Sequence, residues 1–208
     1  MIAYLKAAET DHYLLTKEIL NNKNYNDSEQ NIQPANKLEK DQLYSIETLI
    51  NQMIIYSDNL AYSLLLENID NTQVYKVYQD LDVDISKAQD NPSGNIISVK
   101  DYASFFRILY NSSYLNKEMS EKALYILSQS DYKNALVEGI PNQITVAHKF
   151  GERHFLETGE SQLHDCGIVY NQKKPYLICI MTRGKDLTKL SQGISKISKI
   201  IFDNVNLQ

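Results

Sequence analysis

Apolar residues recur at intervals of three and four over most of the chain, switch to near-alternation late, and return to helical spacing at the end. Residues 1–20 read as helical, with Met1, Ile2, Tyr4 and Leu5 apolar from the first position. No Ser, Thr, Asp or Asn precedes them to satisfy the first backbone N–H groups, so this helix has no evident beginning and is expected to continue an upstream segment. Residues 21–44 are polar, carry Pro34 and read as a surface excursion. Ser45 caps a helix whose Ile46, Leu49, Ile50, Met53 and Ile54 share one face. After a break at Ser57-Asp58-Asn59, the stretch from Leu60 to Glu67 is apolar nearly all round, which predicts a buried central helix. Further helices are predicted from Thr72 to Asp80, from Val99 (capped by Ser98) and from Met119 to Ser128. Between them, residues 82–97 are irregular and carry the turn signal Asp90-Asn91-Pro92-Ser93-Gly94. Strands follow at Ile144 to Glu152, 163–170 and 175–182, the last two joined around Asn171-Gln172-Lys173-Lys174. Asp186 caps a final helix with Leu187, Leu190, Ile194, Ile197 and Ile201 at helical spacing. This order predicts one α+β domain over 1–208, a helical lobe (about 1–140) packed on a three-stranded antiparallel sheet with a closing helix (about 141–208).

Composition narrows the function. A net charge of −5 argues against a nucleic-acid partner, which calls for a basic patch. No stretch approaches the roughly 18 apolar residues of a membrane span. The opening residues do not read as a signal peptide, because Lys6 and Glu9 interrupt the apolar run. His12, His148, His154 and His164 lack metal-ligand spacing, and His164-Asp165 reads as a polar pair at a strand entry rather than part of a triad. A turn centred between Gln172 and Lys173 places Cys166 opposite Cys179. Opposed Cβ atoms lie about 4.5–5.5 Å apart, further than the roughly 3.8 Å of disulfides, so two neighbouring buried thiols are expected.

Two short motifs carry chemistry. Ser57-Asp58-Asn59 joins two helices: a hydroxyl can relay a proton to a leaving nitrogen, an Asn amide can both donate to and accept from a substrate amide, and Asp58 is expected to point inward and fix the turn. Lys149-Phe150-Gly151, 92 residues after Ser57, lies on the first strand of the main sheet. Its lysine offers positive potential, and a glycine leaves room for a substrate along the strand edge. The two motifs in this order, the helices between them, and the strands Leu163 to Tyr170 and Pro175 to Thr182 resemble the class A β-lactamases and penicillin-binding serine hydrolases. Met1 to Lys6 resembles the rear of the helix that carries that family's Ser-x-x-Lys.

The resemblance implies an acyl-enzyme mechanism on β-lactams or related amides and esters, with Ser57 as proton relay, Lys149 as its electrostatic partner, and Asn59, Phe150 and Gly151 against a small or peptide-like substrate. It implies no metal or organic cofactor and a place outside the cytoplasm. The chain departs from the family pattern in four respects. Its one Ser-x-x-Lys, Ser130-Asp131-Tyr132-Lys133, falls in the wrong order and reads as a surface turn; the family's nucleophile would lie ahead of Met1, and this chain alone is expected to be inactive. The family's first two strands are absent. Phe150 replaces a hydroxyl residue that would bond a substrate carboxylate. Residues 82–97 hold no Glu to activate a deacylating water; Asp82, Asp84 and Asp90 are the acids available. A non-catalytic module that kept the cleft is the alternative reading.

Overall fold

The structure is a computed structural model and describes residues 1–24, 31–84, 97–172 and 174–207. A helical lobe comes first. Helix α1 (Ile2–Ala8) leads through a 3₁₀ turn (Leu14–Thr16) to strand β1 (Glu18–Leu20). Strand β2 (Leu43–Ser45) runs into α2 (Ile46–Ile55), followed by α3 (Asn59–Glu67), α4 (Asn71–Asp80), α5 (Val99–Tyr110) and α6 (Lys117–Ser128). Strands β3 (Val146–Phe155), β4 (Glu160–Val169) and β5 (Tyr176–Gly184) form an antiparallel sheet in that order, and α7 (Leu187–Leu207) closes the chain.

The cap signals act as the sequence suggests. The Ser45 hydroxyl accepts from Thr48 N, Ser98 and Asp101 make a reciprocal capping box on α5, and Asp186 accepts from Lys189 N at the start of α7. Strand alternation gives the sheet two apolar faces. Ala147, Cys166 and Ile168 join the core of the helical lobe, whereas Val146, Phe150, Leu163, Val169 and Ile178 pack with Ile194 of α7. The sheet is therefore buried between lobe and α7. Helix α7 crosses very close to a short turn at Val137–Gly139: a Cβ on Gly139 would stand 2.3 Å from the carbonyl oxygen of Ser195, so only glycine admits this approach.

The structure corrects several expectations. The first helix ends at Ala8 rather than running to residue 20, because Thr10 and Asp11 turn their side chains onto nearby backbone, at Ala7 O and Tyr13 N. Strands β1 and β2, three residues each, pair antiparallel and pin both ends of the polar excursion; such short strands leave no period to read. The apolar α3 is not buried all round: Tyr62 is 50% exposed and lines, with Leu65 and Leu66, an apolar cavity of about 280 Å³. His164-Asp165 is not at a strand entry, since β4 begins five residues before Asp165 at Glu160. Ser130 is fully buried, not on a surface turn. Cys166 and Cys179 are register partners as expected, but they are bonded as a disulfide rather than left as thiols. Their Cα atoms are 4.0 Å apart, the close kind of antiparallel pair, which brings the sulfurs within bonding reach. The turn signal at 90–94, with Asp90, lies outside the described residues, as does Lys173 in the β4–β5 turn.

Candidate active site

The turn between α2 and α3 is built on two buried polar side chains. Asp58, fully buried, caps α3 by accepting from Leu60 N at 2.7 Å and Ala61 N at 3.2 Å. Gln52, near the end of α2, donates its amide to Asp58 Oδ2 at 3.2 Å and also to the carbonyl of Asn36, while its own carbonyl accepts from Tyr56 N and Asp58 N. This network holds Ser57 at φ +55°, a left-handed conformation that costs a non-glycine residue about 1–3 kcal/mol. Asn59 is the first residue of α3 and is exposed.

Lys149 reaches this turn from β3. Its Nζ donates to Ser57 Oγ at 2.6 Å and to Phe150 O at 2.8 Å, and lies 4.3 Å from the centre of the Phe150 ring. Tyr102 of α5 donates to Lys149 O at 2.7 Å and so fixes the strand at that residue. Phe150 is only 4% exposed and lies under Tyr132, ring centres 3.9 Å apart, so it is a wall of the site rather than an open contact surface. A Cβ on Gly151 would meet nothing within 4 Å, which leaves open space beside the strand there.

Sequence reasoning missed Gln52, Tyr102, Tyr132 and a buried pair next to the motif lysine. His148 Nδ1 lies 2.9 Å from Asp165 Oδ1, and Asp165 Oδ2 accepts from Leu136 N at 3.2 Å. The signal for that pair was alternation, which puts His148 between Val146 and Phe150 and puts Asp165 two places after Leu163, on one apolar face of the sheet. In Ser130-Asp131-Tyr132-Lys133 the Lys133 ammonium bonds the carbonyl of Ser130, not its hydroxyl, so nothing there activates Ser130.

Burial draws the Lys149 ammonium down to a pKa of about 8, against a smaller upward pull from the negative charge of Asp165. Its ordinary value is 10.5, so between about pH 8 and 10.5 the folded chain binds fewer protons than the unfolded one. The stability contributed by this group therefore rises with pH across that window, and below it the buried ammonium is a standing cost. Side-chain NMR of Lys149 should titrate with a midpoint near 8. A midpoint at the ordinary lysine value would show that the ammonium is not desolvated.

A profile of the β-lactamase enzyme family matches residues 1–205. The chain belongs to that family. Among solved structures this family member resembles the TLA-3 extended-spectrum β-lactamase (TM-score 0.82, 17% identity, covering 98% of this chain and 80% of that one). It also resembles a β-lactamase from Sphaerobacter thermophilus (TM-score 0.78, 21% identity, 100% and 79%) and PBP-A (TM-score 0.78, 17% identity, 100% and 78%). At these identities the likeness shows the fold, which is α+β and β-lactamase-like. No curated protein matches the chain.

Proposed function

We propose that this family member provides the proton-relay half of an acyl-transfer site acting on β-lactams or related amides and esters. The observation that carries the reading is the 2.6 Å contact between Lys149 Nζ and Ser57 Oγ. As the tetrahedral adduct between the attacking serine and the amide carbonyl collapses to the acyl-enzyme and its C–N bond breaks, Ser57 passes its proton to the leaving nitrogen and takes one from the Lys149 ammonium. An amine with a pKa near 8 suits that exchange at neutral pH. Asn59 and the edge of β3 at Gly151 face the substrate, and Asp58 keeps the turn in place. The Cys166–Cys179 bond supports a setting outside the cytoplasm, where disulfides persist.

The acyl-accepting serine is not among residues 1–208 in this reading: Ser130 is the one serine three places before a lysine, and its hydroxyl is buried and unactivated. Intact-mass spectrometry after incubation with a reactive penicillin should accordingly find no adduct on the 208-residue chain. Acylation should appear once a Ser-x-x-Lys helix is supplied ahead of Met1, at the supplied serine, since removing the nucleophile from such a unit costs orders of magnitude in rate. A stoichiometric adduct at Ser57 or Ser130 would overturn the assignment of roles. The alternative, a binding module without chemistry, is favoured by Phe150, which puts a buried ring where a hydroxyl would meet a carboxylate. It expects no acylation even of the supplemented chain.

A further inference from the structure

The sheet face that Lys149 shares has a covered half and an open half. Alternation puts Lys149, Gly151 and Arg153 of β3 on that face, and the register sets Cys166, His164 and Gln162 of β4 opposite them in turn. The helical lobe covers the half that begins at Ala147 and Cys166, both of which join its core. Beyond Lys149 the face is open: Gly151, Arg153 and His164 are partly exposed, and a Cβ on Gly151 would meet nothing within 4 Å. The Arg153 guanidinium lies 5.0 Å from the centre of the Phe155 ring, the next side chain along the same face, and Arg183 of β5 lies 5.2 Å from that ring. Glu160 of β4 accepts from Arg183 Nε at 2.9 Å, so that acid is taken. Glu152, between Gly151 and Arg153, turns to the opposite face, where Asn31 and Ile32 donate to its carboxylate. Arg153 itself makes no ion pair among the described residues.

We infer that the open half of this face is a second subsite, which takes a carboxylate carried on an arm of the substrate away from the reacting amide, and that Arg153 selects it. The inference rests on the reading of the Ser57–Lys149 cleft as a substrate site and names the class of group taken beside it. Four residues of strand separate Lys149 from Arg153, about 13 Å at the usual rise. A substrate whose amide lies at Lys149 and whose arm runs along β3 crosses Gly151, where no side chain obstructs it, and ends at the guanidinium. Stacking on the Phe155 ring engages the flat face of the guanidinium and leaves the N–H donors in its plane, a fork that matches a carboxylate. His164, opposite Gly151, stands beside the same path. Burial draws its imidazole below the ordinary value, against a smaller upward pull from the Leu163 backbone, and an acid brought alongside would raise it again. The chain as a whole carries a net charge of −5, so this cationic strip is a local reversal of its field.

The test uses two ligands that differ at one group, benzylpenicillin and a derivative with a carboxylate at the para position of its phenyl ring, titrated by NMR into the 208-residue chain. The para-carboxy derivative should bind about tenfold more tightly, the scale of a charge-assisted hydrogen bond. Its binding should move the Arg153 Nε–H signal and raise the His164 titration midpoint, whereas benzylpenicillin should leave both in place. In Arg153→Gln, which keeps N–H donors but loses the charge and the fork, the ratio should fall to about one with benzylpenicillin binding unchanged. Arg153→Lys, a point charge without the fork, should give an intermediate ratio, and it serves as the check if Arg153→Gln folds poorly. Equal binding of the two ligands to the native chain, a His164 midpoint that does not move, or a preference that survives in Arg153→Gln would overturn the subsite and leave the cleft reading intact. Failure of both ligands to bind would overturn the cleft reading, and this inference with it.

Discussion

Replacing Asp58 with alanine should lower the melting temperature by about 6–12 °C, the shift expected for about 3 kcal/mol in a chain of this length. Two losses add. The first turn of α3 loses the acceptor for Leu60 N and Ala61 N, a cap worth about 0.5–2 kcal/mol. The Gln52 amide loses one of its partners in a site closed to water, where an unsatisfied donor costs about 1–3 kcal/mol. Asp58→Asn keeps an acceptor for the cap and should lose less than half as much. The substitution should also reach the site. Ser57 is held at φ +55° by the structure on either side of it, and once the cap is gone the turn can relax and draw Ser57 away from Lys149. Thermal unfolding together with the Lys149 titration separates the two effects. A mutant that melts within about 2 °C of the parent would show that the buried carboxylate does not organise the turn.

Opening the Cys166–Cys179 bond should destabilise the chain by about 3 kcal/mol on the chain-entropy account, given that the cysteines are 13 positions apart. The check is urea unfolding of the oxidised chain against the chain held in reductant, with Cys166→Ala/Cys179→Ala as a control free of reductant. A difference below about 0.5 kcal/mol would mean that the hairpin register alone does the work of the bond. The bond lies in one cross-strand row with Lys149, since Lys149 pairs with Cys166 and Cys166 with Cys179. Reduction should therefore loosen the strand that carries the motif lysine, and the Lys149 NMR signal should broaden or move when the bond opens.

The fold was legible where a local signal decided it. Ser45, Ser98 and Asp186 announced three helices, alternation announced β3 to β5, and counting from the turn gave the cysteine register. The pairing of Ser57 with Lys149 was also readable, through two motifs rather than any local pattern. What escaped depends on contacts that leave no trace in sequence spacing. Gln52 looks like one polar residue on an amphipathic helix until Asn36 and Asp58 fold against it. The pairing of Asp165 with His148 follows from the β3–β4 register, in which Asp165 stands opposite Phe150, two places along. Asn31 and Glu152 are separated by 121 residues, and only the folded excursion brings them together. The disulfide was missed for a different reason: average strand spacing stood in for a close pair, and 4.0 Å between Cα atoms changed the chemistry.

The span of the Lys149–Ser57 contact, 92 residues, also bears on how the molecule comes into being. A contact between such distant parts of a chain is among the last to form, because the intervening loop must be closed before the contact rewards it. Helices α2 and α3 can assemble with their capped turn, and the β3–β5 sheet can pair, while no site yet exists. The cleft appears when the two halves dock, so a ligand recognised by both walls binds the docked state and neither half alone. Such a ligand at a hundred times its dissociation constant favours that state by about 2.7 kcal/mol. Occupancy of this cleft is in that sense a report on whether folding has finished.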